Sequence, residues 1–186
     1  MSTALLVVDM LNDFASEKGA LYVPEARKII SNIRKILVAA RESGAPVFYV
    51  CDAHLPDDLE FKFYPPHAVR RTWGAEVIDE LKPAANEVVV YKRRYSGFFG
   101  TDLDLALRER SVDKLIVTGV LTDICVLYTV ADAFFRGYTV LVVSDGTASL
   151  SEDRHRWALE HMREVLKAEV IDSNKAVDIM RACKQT

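Results

Sequence analysis

The apolar residues of this chain fall into short continuous runs, separated by longer stretches in which they recur every three or four positions. Runs that are continuous, and do not alternate with polar residues, are typical of strands buried on both faces of a parallel sheet. Six runs rich in Val, Ile and Leu are predicted strands: Ala4–Asp9, Pro46–Cys51, Glu87–Tyr91, Lys114–Thr118, Thr139–Ser144 and Glu169–Asp172.

The stretches between these runs have helical periodicity and recognisable helix ends. The predicted helices are Pro24–Ser43, Thr101–Arg110, Asp123–Arg136, Ser151–Lys167 and Asn174–Ala182. A proline opens the first helix, and Gly44 and Gly137 follow the first and the third, as is usual at helix ends. Alternating strands and helices predict a single α/β domain over residues 1–186, with a Rossmann-like, three-layer α/β/α architecture, a six-stranded, mainly parallel sheet and right-handed crossovers.

Polar residues follow four of the predicted strands. Asp9 closes the first, Asp52 and His54 follow the second, Lys92 follows the third, and Cys125 comes shortly after the fourth. The ligand site of an open parallel sheet lies beyond the carboxyl ends of its strands. We therefore expect these side chains to meet at one edge of the sheet.

Cys125 is the candidate nucleophile. Its predicted position in the first turn of a helix that starts near Asp123 would lower the pKa of the thiol, and Lys92 would lower it further. Asp9 could take the thiol proton and return it to a leaving amine. Each residue also has a simpler interpretation: the cysteine as a small buried hydrophobe, the aspartate as a cap for nearby amides, and the lysine as a solvated surface charge.

A long irregular segment, Ala53–Arg71, interrupts the periodic pattern, and loops of this length in compact domains are usually functional. Asp52 and His54 lie two residues apart on extended backbone, so their side chains point to the same side. His67 could return from the loop to complete a site for Zn²⁺ or a similar ion, with Glu60 as a further oxygen ligand. The spacing alone leaves both a metal site and a metal-free loop open.

Aromatic residues surround the same edge of the predicted sheet. Phe14, Tyr64 and Tyr95 lie in loops just after the strand ends that carry the polar residues. A flat, apolar ligand between their rings is the hypothesis that this arrangement suggests. The two histidines outside the loop, His155 and His161, lie on a predicted helix and are expected to be surface or packing residues.

Composition and charge exclude several classes of protein. The net charge is −3, and the densest basic cluster, Lys92–Arg94, is too short for a nucleic-acid-binding surface. The cysteines Cys51, Cys125 and Cys183 include no Cys-x-x-Cys pair, which argues against a disulfide framework and a zinc finger. The N-terminal residues have no secretory-signal pattern, and no apolar run is long enough to span a membrane. We expect a cytoplasmic protein that binds neither nucleic acid nor membrane.

Five segments of the chain resemble a known family. They are Leu5–Phe14, Asp52–His54, Glu60–His67, Lys92–Leu103 and Thr118–Val126. On these segments the chain resembles the isochorismatase-like cysteine hydrolases, and within them the nicotinamidase/pyrazinamidase group. The resemblance covers nearly the whole chain.

The resemblance implies a role for each candidate residue and one unusual peptide bond. It implies a catalytic triad of Asp9, Lys92 and Cys125, and an oxyanion hole from the backbone amides of Leu121 and Cys125 next to a cis peptide at Val120–Leu121. It implies the metal ligands Asp52, His54, His67 and, in one subgroup, Glu60. It also implies that Phe14, Tyr64 and Tyr95 contact the substrate. The expected metal is Zn, with Fe or Mn as alternatives. The expected reaction converts nicotinamide or pyrazinamide to the acid and ammonia through a cysteine thioester. The family often forms homo-oligomers, so a dimer or a tetramer is expected.

Two other functions stay open. The first is an amidase of the N-carbamoylsarcosine or ureido type, which uses the same triad and usually lacks the full set of metal ligands. The second is a scaffold that binds a small molecule without turnover, against which the intact triad argues. Isochorismatases of this family lack the cysteine, so Cys125 argues against that branch. The pair His54 and His67 favours nicotinamidase, although the Asp52–His67 loop is shorter than in some nicotinamidases.

Overall fold

The computed structural model describes residues 2–183 as an α/β domain. The strands are β1 Ser2–Val8, β2 Val47–Asp52, β3 Val88–Lys92, β4 Val112–Val120, β5 Thr139–Ala148 and β6 Glu169–Ile171. The helices are α1 Asn12–Ala15, α2 Pro24–Ser43, α3 Leu103–Glu109, α4 Leu127–Phe135, α5 Glu152–Glu164 and α6 Ser173–Ala182. In this described part, no helix is long and apolar enough to cross a membrane.

The six strands form one sheet in the order β3-β2-β1-β4-β5-β6, and all five neighbouring pairs are parallel. In register, Leu6 of β1 lies between Phe48 of β2 and Val117 of β4. The chain winds outward from β1 to β3 on one side and from β4 to β6 on the other. The strand order therefore reverses between β1 and β4, which is where an open α/β sheet binds its ligand.

Helices cover both faces of the sheet, which explains the continuous apolar runs. On β1, Leu5 and Val7 belong to a buried cluster that includes residues of α1, α2 and α6. The alternate residues Leu6 and Val8 belong to a second cluster with residues of α3, α4 and α5. The predicted three-layer fold with a six-stranded sheet is confirmed.

Two differences between the predicted and the observed elements lie next to the cysteine. β5 continues past Ser144 to Ala148, where it pairs again with the end of β4. The helix predicted from Asp123 begins instead as a π-helical turn at Thr122–Val126, and α4 starts only at Leu127. The reason lies in the backbone, since the carbonyl of Leu121 accepts hydrogen bonds from the amides of Ile124 at 3.0 Å and Val126 at 3.1 Å.

Candidate active site

Three buried side chains meet where the strand order reverses. Asp9 follows β1, Lys92 ends β3, and Cys125 lies in the π-helical turn after β4. The Nζ atom of Lys92 lies 2.8 Å from Oδ2 of Asp9 and 3.5 Å from the sulfur of Cys125. Asp9 and Lys92 are each 1% exposed and Cys125 is 8% exposed. The sequence placed these residues at strand ends, and the structure brings them together.

The contacts of Asp9 and Lys92 exclude their simpler interpretations. Oδ1 of Asp9 accepts a hydrogen bond from the amide of Asp52 at 2.7 Å, so it joins the ends of two strands and does not cap the amides that follow it. The Lys92 ammonium is not a solvated surface charge, because it lies between Asp9 and Asp52, with Nζ 2.5 Å from Oδ1 of Asp52.

Burial sets the proton affinities of this cluster. Burial first, and the neighbouring Asp52 charge second, raise the pKa of Asp9 to about 6, against the opposing effect of Lys92. Burial opposes the charge on Lys92, but the two carboxylates outweigh it and raise the pKa of the ammonium. A carboxylate of ordinary proton affinity would not hold the proton of a thiol at neutral pH, whereas Asp9 is shifted towards that role.

The expectation of a lowered thiol pKa at Cys125 is wrong. Burial raises the pKa of this thiol well above its ordinary value, and the charges of Asp9 and Asp52 raise it further, which outweighs the lowering by Lys92. The α-helix also begins two residues after the cysteine, so the helix start is not where the sequence placed it. The resting sulfur is therefore a thiol that needs a base, and a carboxylate oxygen of Asp9 lies within 4.8 Å of it.

The turn that carries Cys125 has one of the two backbone features implied by the resemblance. The Val120–Leu121 peptide is cis, as predicted. The amides of Ile124 and Val126 both donate hydrogen bonds to the carbonyl of Leu121. The Cys125 amide lies between them in the chain. The oxyanion hole from Leu121 and Cys125 stays a prediction.

Three of the four predicted metal ligands form a buried cluster next to the cysteine. One ligand atom from each of Asp52, His54 and His67 lies within 4.8 Å of the others. The side chain of His54 is fully buried, and its Nε2 atom has no hydrogen-bond partner among the described residues. A buried ring nitrogen without a partner is costly, and a metal ion would satisfy it. The residues present therefore fit a divalent cation.

Hydrogen bonds to the other ring nitrogens turn both histidines towards this cluster. Nδ1 of His67 bonds to the carbonyl of Pro65 at 2.8 Å, which leaves its Nε2 available as a ligand. Nδ1 of His54 lies 3.2 Å from Oδ2 of Asp58. One carboxylate and two imidazoles are a ligand set that suits Zn²⁺ and other first-row transition ions.

Glu60 lies beside the cluster but outside the group of three. Its side chain is largely buried and lines a cavity together with His67 and Cys125. Its Oε2 atom lies 3.8 Å from Nη1 of Arg94. Burial raises the pKa of its carboxyl. Its role as a fourth ligand stays a prediction.

Asp58 is a site residue to which sequence reasoning assigned no role. Its side chain is fully buried, and besides His54 it accepts hydrogen bonds from Nε of Arg93 at 2.8 Å and Nη1 of Arg94 at 2.9 Å. Burial alone would raise the pKa of Asp58, but these partners lower it well below its ordinary value. Two sequence features could have indicated this contact: Arg93 and Arg94 directly follow a predicted strand, and the Ala53–Arg71 segment is rich in acidic residues. Two arginines near the centre of the site need carboxylate partners.

Asp13 is a second residue that sequence reasoning missed. Its carboxylate accepts hydrogen bonds from the amide of Ala20 at 2.9 Å and from the amide of Ala68 at 2.7 Å. Ala68 directly follows His67, so this carboxylate connects the segment after β1 to the histidine loop. No pattern of residue types in the sequence distinguishes an aspartate with this connecting role from an aspartate at the surface.

A cavity opens between the cysteine and the histidine cluster, and its walls are mostly apolar. The three predicted aromatic residues all line it, with Phe14 packed edge-on against His67 at a ring distance of 5.6 Å. The hydroxyls of Tyr64 and Tyr95 lie 3.4 Å apart. Its lining consists of Asp9, Phe14, Leu21, Asp52, Glu60, Tyr64, His67, Tyr95, Val120, Leu121, Ile124 and Cys125. Within residues 2–183, no lysine or arginine side chain is part of that lining.

Comparison with known proteins gives one family over nearly the whole chain. A model of the isochorismatase domain matches residues 3–175. Two solved structures superpose closely. N-carbamoylsarcosine amidase from Thermoplasma acidophilum is 40% identical, with a TM-score of 0.86 over 94% of this chain and 98% of its own. Nicotinamidase PncA from Bacillus subtilis is 38% identical, with a TM-score of 0.87 over 92% of this chain and 100% of its own.

A curated relative carries a third activity. Ureidoacrylate amidohydrolase RutB from Yersinia enterocolitica is 34% identical over 178 residues, which are 82% of this chain and 77% of the relative. The three relatives are named for three different amide substrates on one fold. The residues that line the cavity are therefore what can distinguish among those substrates in this protein.

Proposed function

The chain belongs to the isochorismatase family, as one of its amidohydrolases, and we propose that nicotinamide is the amide that it hydrolyses. The products are nicotinate and ammonia, and pyrazinamide is a second substrate of the same shape. Cys125 is the nucleophile, Asp9 carries the proton, and Lys92 balances the charges of the site.

The observation that supports this substrate is the lining of the cavity. Carbamoylsarcosine and ureidoacrylate both carry a carboxylate, which needs a cationic or hydrogen-bonding partner when it is buried. The described lining has no lysine or arginine, and the Lys92 ammonium behind it is already engaged by Asp9 and Asp52. A flat, neutral ring suits walls formed by Phe14 and Tyr95. Nicotinamide is such a ring, and it carries a primary carboxamide.

The first half of the reaction uses the cysteine and the aspartate. The Cys125 sulfur attacks the carboxamide carbon while its proton passes to Asp9, whose raised pKa suits that transfer. The carbonyl oxygen becomes an oxyanion, which the amides of Leu121 and Cys125 bind. An amide that stabilises an oxyanion in this way contributes about 10²- to 10³-fold to the rate. Asp9 then protonates the leaving nitrogen, the C–N bond breaks, and ammonia leaves a thioester on Cys125.

The second half returns the enzyme to its starting state. A water molecule attacks the thioester carbon while Asp9 takes one of its protons. The C–S bond breaks, the acid product leaves, and the sulfur regains a proton from Asp9. Lys92, between Asp9 and Asp52, keeps two neighbouring carboxylates from repelling each other through both halves.

Asp52, His54 and His67 would hold a divalent cation beside this reaction centre, and we propose Zn²⁺, with Fe or Mn as alternatives. A bound cation would supply a Lewis acid, and the pyridine nitrogen of nicotinamide is a Lewis base that suits it. Oδ1 of Asp52 is engaged by Lys92, so Oδ2 is the oxygen available to a metal. The ring nitrogen of nicotinamide gives a second reason to prefer it over an open-chain carbamoyl substrate.

A substrate panel on metal-analysed protein tests the proposal. We expect ammonia release from nicotinamide and pyrazinamide to exceed release from N-carbamoylsarcosine and ureidoacrylate by at least about 100-fold in kcat/KM, because no lysine or arginine in the described lining pairs with their carboxylates. Benzamide, which has the same shape without a ring nitrogen, is the matched substrate control. A preference for either carboxylate-bearing substrate, with activity that survives chelation, would identify the carbamoyl or ureido type of amidase instead.

A further inference from the structure

We infer that the first turn of α5, together with the end of β5, positions the turn that carries Cys125, through hydrogen bonds to Thr122 and Asp123. These two residues stand between the proposed oxyanion-hole residue Leu121 and the nucleophile. Neither belongs to the catalytic cluster described above. The inference rests on the proposed role of Cys125 but not on the identity of the substrate.

The first link joins Thr122 to His155. The side chain of Thr122 is fully buried, and its Oγ1 shares a hydrogen bond with Nδ1 of His155 at 2.8 Å. His155 lies 33 residues further along the chain, in the first turn of α5. Sequence reasoning assigned His155 to the surface or to packing and did not predict this contact.

The second link joins Asp123 to both sides of the start of α5. One carboxylate oxygen accepts a hydrogen bond from the hydroxyl of Ser149, just after β5. The other lies 2.5 Å from Nε and from Nη2 of Arg154. The Asp123 side chain is 6% exposed, so this charged hydrogen-bonded contact is mostly shielded from water.

The shape of the turn explains why it needs these links. Residues 122–126 form a π-helical turn, which is less favourable than an α-helical one and occurs frequently at functional sites. The turn also has no side-chain cap of its own at Leu121. Side chains from Ser149, just after β5, and from α5 therefore supply the contacts that fix its first two residues. Loss of either contact would let the sulfur of Cys125 and the neighbouring amides shift relative to Asp9.

Thr122→Val tests the first link, because valine keeps the shape of threonine and removes its hydroxyl. Two rates are measured: alkylation of Cys125 by iodoacetamide, followed by peptide mass spectrometry, and turnover of nicotinamide. We expect both the alkylation rate and kcat to fall by about 3- to 10-fold, the effect of one buried hydrogen bond, with KM unchanged. Thr122→Ser, which restores the hydroxyl, should recover both rates.

The partner residue provides a double-mutant cycle. His155→Phe should lower the two rates as Thr122→Val does, and the double variant should lower them no further, since the same contact is lost. His161→Phe is the matched control, because His161 lies on the same helix and stacks on Trp157 at a ring distance of 5.3 Å. It should leave both rates unchanged. If His155→Phe does not fold, His155→Asn replaces it, and its amide should keep part of the contact and of the rate.

Two results would overturn the inference. The first is Thr122→Val with wild-type alkylation and kcat, and the second is additive losses in the double variant, since independent effects would mean that the two side chains do not act together. A wild-type protein inactive on nicotinamide counts against the proposed substrate alone. The alkylation rates still decide whether the first turn of α5 positions the nucleophile.

Discussion

Lys92 Nζ lies 2.5 Å from Oδ1 of Asp52, so one carboxylate belongs to the cluster around the cysteine and to the cluster of candidate metal ligands. Its second oxygen lies 3.6 Å from Nε2 of His54. From the sequence, Asp52 was a ligand only and Lys92 a partner of the cysteine only. The structure shows that the two sites share this carboxylate, so a substitution at Asp52 acts on both.

Asp52→Asn should therefore change both sites in opposite senses. The metal affinity of this variant should fall by more than about 100-fold, because one of the three candidate ligands loses its charge. In metal-free protein, alkylation of Cys125 should become several-fold faster, since the Asp52 charge raises the pKa of that thiol and its removal also leaves Lys92 less neutralised. Chelator competition and iodoacetamide labelling measure the two effects.

His54→Asn is the control for that separation. It removes a metal ligand without touching Lys92, so metal affinity should fall while the alkylation rate stays at the wild-type value. Equal alkylation rates for Asp52→Asn and wild type would show that the carboxylate has no influence on the sulfur.

Asp58→Asn tests the buried carboxylate that orients His54. The amide keeps the size of the side chain but weakens its bonds to the imidazole and to Arg93. Loss of such an orienting group costs about 10- to 100-fold in metal affinity, which competition with a chromophoric chelator would measure. The neighbouring Asp57 is exposed, so Asp57→Asn is the matched control and should bind metal as wild type does. Equal affinities for the two variants would exclude this role of Asp58.

Gly119→Ala should destabilise the strand that leads to the cysteine turn. Gly119 has a φ of 108°, and a Cβ atom there would overlap the backbone carbonyl of Val8 on the neighbouring strand. We expect a loss of about 3 kcal/mol or more in the free energy of unfolding, measured in urea. Gly137 also has a positive φ, but a Cβ atom there would meet nothing within 4 Å, so Gly137→Ala should cost only about 1 kcal/mol. Similar losses would mean that strain and not overlap decides.

Glu87 should make part of the stability depend on pH. Burial alone would raise its pKa, but hydrogen bonds from Arg41 and the amide of Ala84 lower it below the ordinary 4.5. A depressed folded-state pKa gives stability that is present above about 4.5 and is lost as pH falls through the folded value. Glu87→Gln should thus be less stable by at most about 1 kcal/mol near neutral pH, since Arg41 is 37% exposed, and the difference should vanish in acid. Urea titrations between about pH 7 and pH 3 measure it, and a constant difference would exclude the ion pair as the cause.

Apolar patterning predicted the sheet and its layers, because each strand is buried on both faces and each helix has one apolar side. Strand-end positions likewise brought Asp9, Lys92 and Cys125 together, since parallel strands end at the same edge. The proton affinity of the sulfur could not be predicted in this way. The pKa of the thiol depends on how deeply the site is buried. It also depends on whether the charges of Asp9 and Asp52 raise it more than the charge of Lys92 lowers it. Neither quantity can be read from residue spacing.

Contacts between distant segments account for the rest of what the sequence did not predict. The bonds from Asp58 to Arg93 and from Thr122 to His155 join residues more than 30 positions apart. The start of α4 also moved because the carbonyl of Leu121 bonds to Val126, five residues on. The homo-oligomeric state stays a prediction. The exposed rings of Phe134 and Phe135, 39% and 73% exposed, leave an apolar area on α4 where a second copy could pack.

The central claim is that Cys125 forms a thioester with the acyl group of nicotinamide. Metal-loaded protein mixed with nicotinamide, quenched in acid during turnover and digested for peptide mass spectrometry, tests it most directly. We predict a nicotinoyl group on the peptide that contains Cys125, absent from Cys125→Ala, which should also release no ammonia above background. Ammonia release by Cys125→Ala at the wild-type rate, or a wild-type protein that turns over nicotinamide while the adduct forms at another residue, would contradict the claim.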